Sequence, residues 1–238
     1  MGPVHCGAAM KNVLLSLLCC VIAWPTYATI VIYGTRIIYP AERQEIRVQL
    51  ANRGDKTSLI QAWIDEGDPS VPPEQVKAPF MLTPPITTIA AGNGQQLRIR
   101  ALANTLPQDR ESLFYLNVVD IPPDNPAHSG NLLKLAMQNR IKLFYRPQGI
   151  GALDEKSVSQ VLARRTPQGI TLDNRSANHI TIIRLSAGQQ RQLLENTLML
   201  PPFSQQQIST AGLAGVSALT LSYLNDYGAK SQQAIPLN

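Results

Sequence analysis

The chain lacks cysteine beyond residue 20, because its three cysteines (Cys6, Cys19 and Cys20) all lie near the N-terminus. The remaining residues therefore have neither a disulfide nor a thiol, which excludes cysteine-dependent catalysis there. Small domains of oxidising compartments often need disulfides, whereas a larger domain without any must be stabilised by its hydrophobic core.

The chain also lacks recognisable catalytic and nucleic-acid-binding patterns. It has no P-loop, dinucleotide fingerprint or nucleophile elbow, and no Lys/Arg run interleaved with aromatic residues. His128 and His179 have no ligand neighbours at metal-binding spacing. Asp65 and Glu66 are adjacent and would point to opposite faces of a strand, so we interpret both as solvated. These patterns predict no enzyme, cofactor, metal site or nucleic-acid partner, although distant residues could still assemble a hydrolase triad.

The only long apolar stretch lies at the N-terminus. Lys11 precedes the apolar run Val13–Leu18, and small residues follow at Thr26 and Ala28. A membrane-spanning helix needs about 20 apolar residues, so this run is too short. We interpret residues 1–28 as a secretory signal peptide rather than a buried helix, which leaves no membrane-inserted segment after its removal. Without Lys11 the formal net charge falls from +5 to +4.

Short alternating segments recur through the rest of the chain and predict an all-β protein. Apolar and polar residues alternate over Ile46–Leu50, Ile60–Asp65 and Gln96–Arg100, with turn signals between them. A break at Pro147–Gly151 separates this series from a second one. We therefore predict two β-sandwich domains, residues 29–147 and 151–238, with a cleft between them.

Two longer alternating stretches, Leu106–Pro123 and Asn131–Pro147, stand out from the others. The second exceeds the usual strand length of about 5–6 residues. Its residues Leu133, Leu135 and Met137 are spaced by two, so they share one face. The alternation alone leaves two interpretations open, since this face could fill the domain's own core or be presented to a partner.

Four motifs resemble those of the PapD-type periplasmic pilus-assembly chaperones. They are LPQDRESLFYLNVVDIPP at 106–123, IKLFYRP at 141–147, LSYLNDYG at 221–228 and TRIIYPA at 35–41. The resemblance implies two immunoglobulin-like β-sandwich domains, arranged as an L or boomerang around an interdomain cleft. The short segment 124–130 is similar to that of the short-loop branch of the family.

The resemblance also implies a function. Chaperones of this type bind fimbrial subunits in the periplasm by donating a strand, and deliver them to an outer-membrane usher. The donated strand here would be Asn131–Arg140, with Leu133, Leu135 and Met137 as the residues that fill the subunit's core. Self-association of the free protein would cover the same strand. The alternative is a fimbrial subunit or adhesin, which should instead carry an N-terminal donor extension.

Two groups of charged residues match positions with roles in this family. Arg36 and Lys142 resemble the pair that binds the subunit's C-terminal carboxylate, although both could simply be surface cations. Arg140 has the same parity as Lys142 and is predicted to lie on the same side. A second group resembles the family's interdomain ionic network and consists of Glu111, Arg146 and Asp226.

Overall fold

The computed structural model describes residues 29–121, 135–188 and 191–238. The predicted signal peptide, the short segment 124–130 and Leu133 lie outside the described residues. Within the described ranges, no helix has the length and apolar character that crossing a membrane requires.

The first half of the chain forms two sheets. Their nine strands are β1 (Ile30–Ile32), β2 (Arg36–Pro40), β3 (Ile46–Asn52), β4 (Ser58–Asp65), β5 (Phe80–Thr83), β6 (Ile86–Ile89), β7 (Gly94–Ala101), β8 (Ser112–Ile121) and β9 (Met137–Arg146). One sheet has the order β1-β3-β7-β5 and the other β2-β9-β8-β4-β6. All neighbouring strands are antiparallel except β2 and β9, which are parallel.

The alternation of the sequence explains how these two sheets pack. Successive side chains of a strand point to opposite faces, so residues spaced by two enter the same core. Leu50 and Leu97 come from the first sheet and Leu116 and Leu143 from the second, and all four are fully buried in one cluster. The first half of the chain is therefore a sandwich closed by side chains from both sheets.

The second half forms a separate sandwich. Its strands are β10 (Val161–Thr166), β11 (Gly169–Asn174), β12 (Ile180–Ala187), β13 (Arg191–Gln192), β14 (Leu198–Leu200), β15 (Ser204–Ser209), β16 (Ala218–Leu224) and β17 (Lys230–Pro236). One sheet has the order β10-β11-β15, and the other has β13-β12-β16-β17 with β14 also paired to β12. Ile170, Leu172, Ile182 and Leu221 are fully buried in its core.

The C-terminal strand completes this second sandwich. The sequence did not settle whether the last strand is whole, because few residues follow Gly228. In the structure β17 pairs with β16 through all seven of its residues, from Lys230 to Pro236. The predicted all-β class with two sandwiches is confirmed.

One short helix lies at the junction between the sandwiches. Helix α1 (Glu155–Val158) begins after Asp154, whose side chain accepts a 2.9 Å hydrogen bond from the backbone N–H of Ser157. An aspartate at this position satisfies one of the backbone donors that a helix start leaves unpaired. The two sandwiches are thus joined by a short, ordered connection.

Candidate functional site: an open strand edge beside an interdomain cleft

One edge of strand β9 is paired along nearly its whole length, and the other edge is paired along half of it. It pairs with β8 from Met137 to Tyr145, whereas β2 covers its other edge only from Lys142 to Arg146. Among the described residues, no strand pairs with this second edge over Met137–Ile141. The open half therefore presents unpaired backbone N–H and C=O groups, which can pair with a strand of another chain.

The apolar residues next to this open edge are exposed. Leu135 and Met137 are each 64% exposed, so neither fills the core of its own sandwich. By alternation Met137 lies on the same face as Leu143 and Tyr145, which are buried in that core. The exposed side chains therefore extend the line of the core beyond the end of the sandwich, where another protein could cover them.

Arg36 and Lys142 are brought together where the open edge ends. They are register partners across the parallel pair β2–β9, and both are half-buried. Nη1 of Arg36 donates a 3.0 Å hydrogen bond to the backbone carbonyl of Leu224 in the second sandwich. The guanidinium also lies 5.8 Å from the ring centre of Phe144. The two cations thus line the cleft between the sandwiches.

The electrostatics of this pair favour an anion. Burial lowers the pKa of Lys142, and the positive charge of Arg36 lowers it further. Burial also lowers the pKa of Arg36, against the opposing effect of Asp226 and Glu111. Within the described part of the chain neither cation forms an ion pair, and Nε of Arg36 is buried without a hydrogen-bond partner. A bound carboxylate would offset the cost of desolvation with charge-assisted hydrogen bonds and would weaken the repulsion between the two cations.

Glu111, Arg146 and Asp226 meet at the base of the cleft. Nη1 and Nη2 of Arg146 each donate a 2.7 Å hydrogen bond to one carboxylate oxygen of Asp226. Nε of the same side chain donates to Oε1 of Glu111 at 2.8 Å. Because Asp226 belongs to the second sandwich and the other two to the first, this cluster ties the sandwiches together.

Glu111 makes further contacts that the sequence did not reveal. Its Oε2 accepts a 2.7 Å hydrogen bond from the backbone N–H of His179, and its Oε1 accepts from Nδ2 of Asn178 at 3.2 Å. Its own backbone N–H donates to the carbonyl of Ala177 at 2.9 Å. No local pattern identifies Asn178 or His179 as partners, since the contacts depend on how the sandwiches dock. His179 thus acts as a structural partner of Glu111.

Asp65 corrects one expectation from the sequence, because it is buried rather than solvated. Its side chain accepts hydrogen bonds from Arg140 at 2.6 Å, Asn117 at 2.5 Å and the backbone N–H of Gly67 at 2.7 Å. Burial opposes ionisation, but these donors outweigh it and lower the pKa of Asp65. The guanidinium of Arg140 also lies 3.9 Å from the ring centre of Tyr115. Arg140 is therefore held against its own sheet.

Among the described residues, no group of three or more His, Cys, Asp and Glu side chains could hold a metal ion. The same ranges contain an open strand edge, exposed apolar side chains and a pair of cations without a carboxylate partner.

Two family models match the chain, one over each sandwich. The family described as "Pili and flagellar-assembly chaperone, PapD N-terminal domain" matches residues 29–151. The family described as "Pili assembly chaperone PapD, C-terminal domain" matches residues 156–235. The chain belongs to the PapD-type family of pilus-assembly chaperones.

Relatives with similar length support this membership. The probable fimbrial chaperone YehC of Escherichia coli K12 is 48% identical over 223 residues, which cover 93% of this chain and 92% of YehC. The chaperone protein HifB of Haemophilus influenzae is 38% identical over 215 residues, 88% of each chain. The crystal structure of the Pseudomonas aeruginosa CupB2 chaperone superposes with a TM-score of 0.75 at 27% identity, covering 87% of this chain and 100% of CupB2.

These matches confirm three predictions from the sequence: the PapD-type family, the two immunoglobulin-like sandwiches and the role as a fimbrial chaperone. The alternative of a fimbrial subunit or adhesin is not supported, because both halves of the chain match chaperone domains.

Proposed function

We propose that this protein binds fimbrial subunits in the periplasm by lending them the open half of β9. The observation that carries the proposal is the coincidence of an unpaired strand edge with exposed Leu135 and Met137. A subunit whose sandwich lacks a strand has an exposed core and an open edge of its own. Complementing that gap would satisfy the backbone groups of both proteins, and each large apolar side chain that is buried contributes about 1.5–3 kcal/mol.

The position of the cations predicts the direction of the subunit strand. A subunit strand that pairs with Met137–Ile141 would lie on the same edge of β9 that β2 covers from Lys142 onward. The end of the subunit strand nearest Lys142 would therefore lie next to Arg36, the first residue of β2. A C-terminal carboxylate bound by Arg36 and Lys142 therefore requires the subunit's last strand to run parallel to β9. Each charge-assisted hydrogen bond to that carboxylate would contribute about 1.5–3 kcal/mol.

The Glu111–Arg146–Asp226 cluster gives this site its geometry. The carboxylate would be bound in a cleft whose opposite wall, including the carbonyl of Leu224, belongs to the second sandwich. We infer that the cluster fixes the angle between the sandwiches and so the position of Arg36 relative to Lys142. The inference concerns geometry and not added stability, because the cost of desolvating a buried ion pair can exceed its Coulombic gain.

The remaining inferences concern the wider pathway. We infer that residues 1–28 direct export and are removed, that the mature domains comprise residues 29–147 and 151–238, and that the loaded chaperone delivers its subunit to an outer-membrane usher. Binding rather than catalysis is the inferred activity, without cofactor or metal. Self-association of the free protein through β9 would protect the exposed strand between rounds of binding.

Periplasmic co-expression with a fimbrial subunit, followed by co-purification, tests the proposal. Arg36→Ala and Lys142→Ala should fold normally and bind the subunit about 10- to 150-fold more weakly, the equivalent of one lost charge-assisted bond. Met137→Glu should also lose the subunit. Met81→Glu is a matched control, because Met81 is 54% exposed on β5, away from β9. Equal retention by Met137→Glu and Met81→Glu would refute the strand-donation mechanism.

A further inference from the structure

Because side-chain direction in β9 repeats every two residues, apolar contacts alone cannot exclude a subunit strand that pairs with β9 two residues out of register. A slip of one residue turns the exposed apolar side chains away from the subunit, but a slip of two residues restores their direction. The competing register is displaced by about 6.6–6.8 Å along the strand. The position of the charged anchor must therefore distinguish the correct register from this one.

A second cation occupies the position that would support this error. Arg140 lies two residues before Lys142 on the same face of β9, beside the open edge. If the guanidinium of Arg140 were free, it could bind the subunit's carboxylate while the apolar side chains of the subunit strand still faced the chaperone. The resulting complex would be complemented two residues out of place.

The guanidinium of Arg140 already has partners within its own sheet. Arg140 donates to buried Asp65 at 2.6 Å and stacks on Tyr115 at 3.9 Å from the ring centre. Asp65 is held in turn by Asn117, whose Oδ1 accepts a 2.8 Å hydrogen bond from Gln138 of β9. The side chain of Asp65 is 4% exposed, so its negative charge interacts with these donors rather than with solvent.

The third cation on this face of β9, Arg146, is also paired with carboxylates of the chain. Arg146 forms ion pairs with Glu111 and Asp226 at 2.7 Å. Of the three cations on this face of β9, Lys142 alone has no carboxylate partner among the described residues. We propose that Asp65 withdraws Arg140 from carboxylate binding, so that Arg36 and Lys142 form a single anchor and the subunit binds in one register. Asp65 is a positioning residue in this proposal, which rests on the proposed function above.

A suppressor experiment tests the proposal. Lys142→Gln should bind a co-expressed fimbrial subunit about 10- to 150-fold more weakly than wild type. Adding Asp65→Asn should release Arg140 and recover about tenfold or more of the lost affinity. Adding Arg140→Gln as a third change should abolish that recovery. A purely structural role for Asp65 predicts a further loss in the double variant, which would overturn the proposal.

The register itself can be measured by disulfide cross-linking. Residues 29–238 contain no cysteine, so Asn139→Cys introduces a single thiol on the open half of β9. It should form a disulfide with only one of two cysteines placed two residues apart in the subunit's last strand. In the Lys142→Gln/Asp65→Asn background the preferred partner should change to the other one. An unchanged partner in a complex that has regained affinity would refute the register argument.

A measurement on the unaltered side chains covers the case in which Asp65→Asn does not fold. An octapeptide of alternating threonine and valine with a free C-terminal carboxylate is titrated into wild type, with the amidated peptide as control. The side-chain nitrogen resonance of Lys142 should shift with the free carboxylate only, and those of Arg140 should not. Equal shifts at both residues would show that Arg140 competes for the carboxylate. If Lys142→Gln binds subunit as wild type does and Lys142 shows no shift, the anchor in the proposed function is wrong instead.

Discussion

Replacing Arg146 with methionine removes the cation that two carboxylates share while it keeps a side chain of similar length. The side chain of Glu111 is 2% exposed and that of Asp226 is 16% exposed, so Glu111 suffers the larger loss. Removing one partner of a buried ion pair lowers the free energy of unfolding by about 3–5 kcal/mol. We expect the low end, about 3 kcal/mol, because Asn178 and the backbone of His179 still donate to Glu111.

The stability that Arg146→Met loses relative to wild type should be larger at neutral pH than at acidic pH. Burial raises the pKa of Glu111, but His179 and the charge of Arg146 together lower it below the ordinary value. In wild type this pair therefore contributes stability above the unfolded pKa of about 4.3, and the contribution is lost as the pH falls through the folded-state pKa. In Arg146→Met burial should dominate and raise the pKa of Glu111. The variant's deficit should then be largest near neutral pH and smaller at about pH 4.

Guanidinium chloride unfolding followed by tryptophan fluorescence gives the free energies. Trp63 reports on the first sandwich, because the chain's other tryptophan, Trp24, lies in the predicted signal peptide. Arg47→Met is the control, since the ion pair of Arg47 with Glu45 has side chains 64% and 33% exposed and should contribute at most about 1 kcal/mol. An Arg146→Met deficit that is the same at both pH values would mean that lost packing, and not an uncompensated buried charge, causes it.

Two further predictions concern the cleft. Gly228→Ala and Gly215→Ala both place alanine at φ of 76°, at a cost of about 1–2 kcal/mol. A Cβ on Gly228 would overlap Oγ1 of Thr35 in the other sandwich, whereas Gly215 has open space. Gly228→Ala alone should therefore reduce subunit co-purification, and equal reductions would contradict a steric role for Thr35. Lys142→Met should unfold at a slightly higher denaturant concentration yet retain less subunit, because it removes a half-buried cation that Arg36 repels; an unchanged or lower midpoint would contradict this.

The faces of β9 could be predicted from the sequence because side-chain direction in a strand has a period of two. That period placed Leu135 with Met137, and Arg140 with Lys142, without knowledge of any neighbouring strand. The resemblance of the surrounding motifs then associated Arg36 with Lys142 as a carboxylate-binding pair, whereas the pairing of their strands came from the structure. These features depend on local alternation or on motifs that stay intact along the chain.

The environment of Asp65 could not be predicted in the same way. Its burial depends on the pairing of β4 with β8, which sets Asp65 opposite Tyr115, and on that of β8 with β9, which sets Asn117 opposite Arg140. Registers between strands that are distant in sequence are not encoded by the alternation of either strand. The contacts of Glu111 with Asn178 have the same origin, since they form only when two independently packed sandwiches dock.

At the charged positions of β9, a change that stabilises the free protein is expected to reduce its capacity to bind a subunit. Arg140 and Arg146 are neutralised by buried carboxylates of the chain itself, whereas Lys142 and Arg36 repel each other at the edge of the cleft. A carboxylate supplied from within the chain would relieve that repulsion, but it would also occupy the place of the ligand. The same reasoning applies to Met137, whose burial in its own core would stabilise the chaperone and leave nothing to donate. Substitutions that stabilise the free protein at these positions should therefore weaken subunit binding, whereas stabilising substitutions in the core of the second sandwich should leave it unchanged.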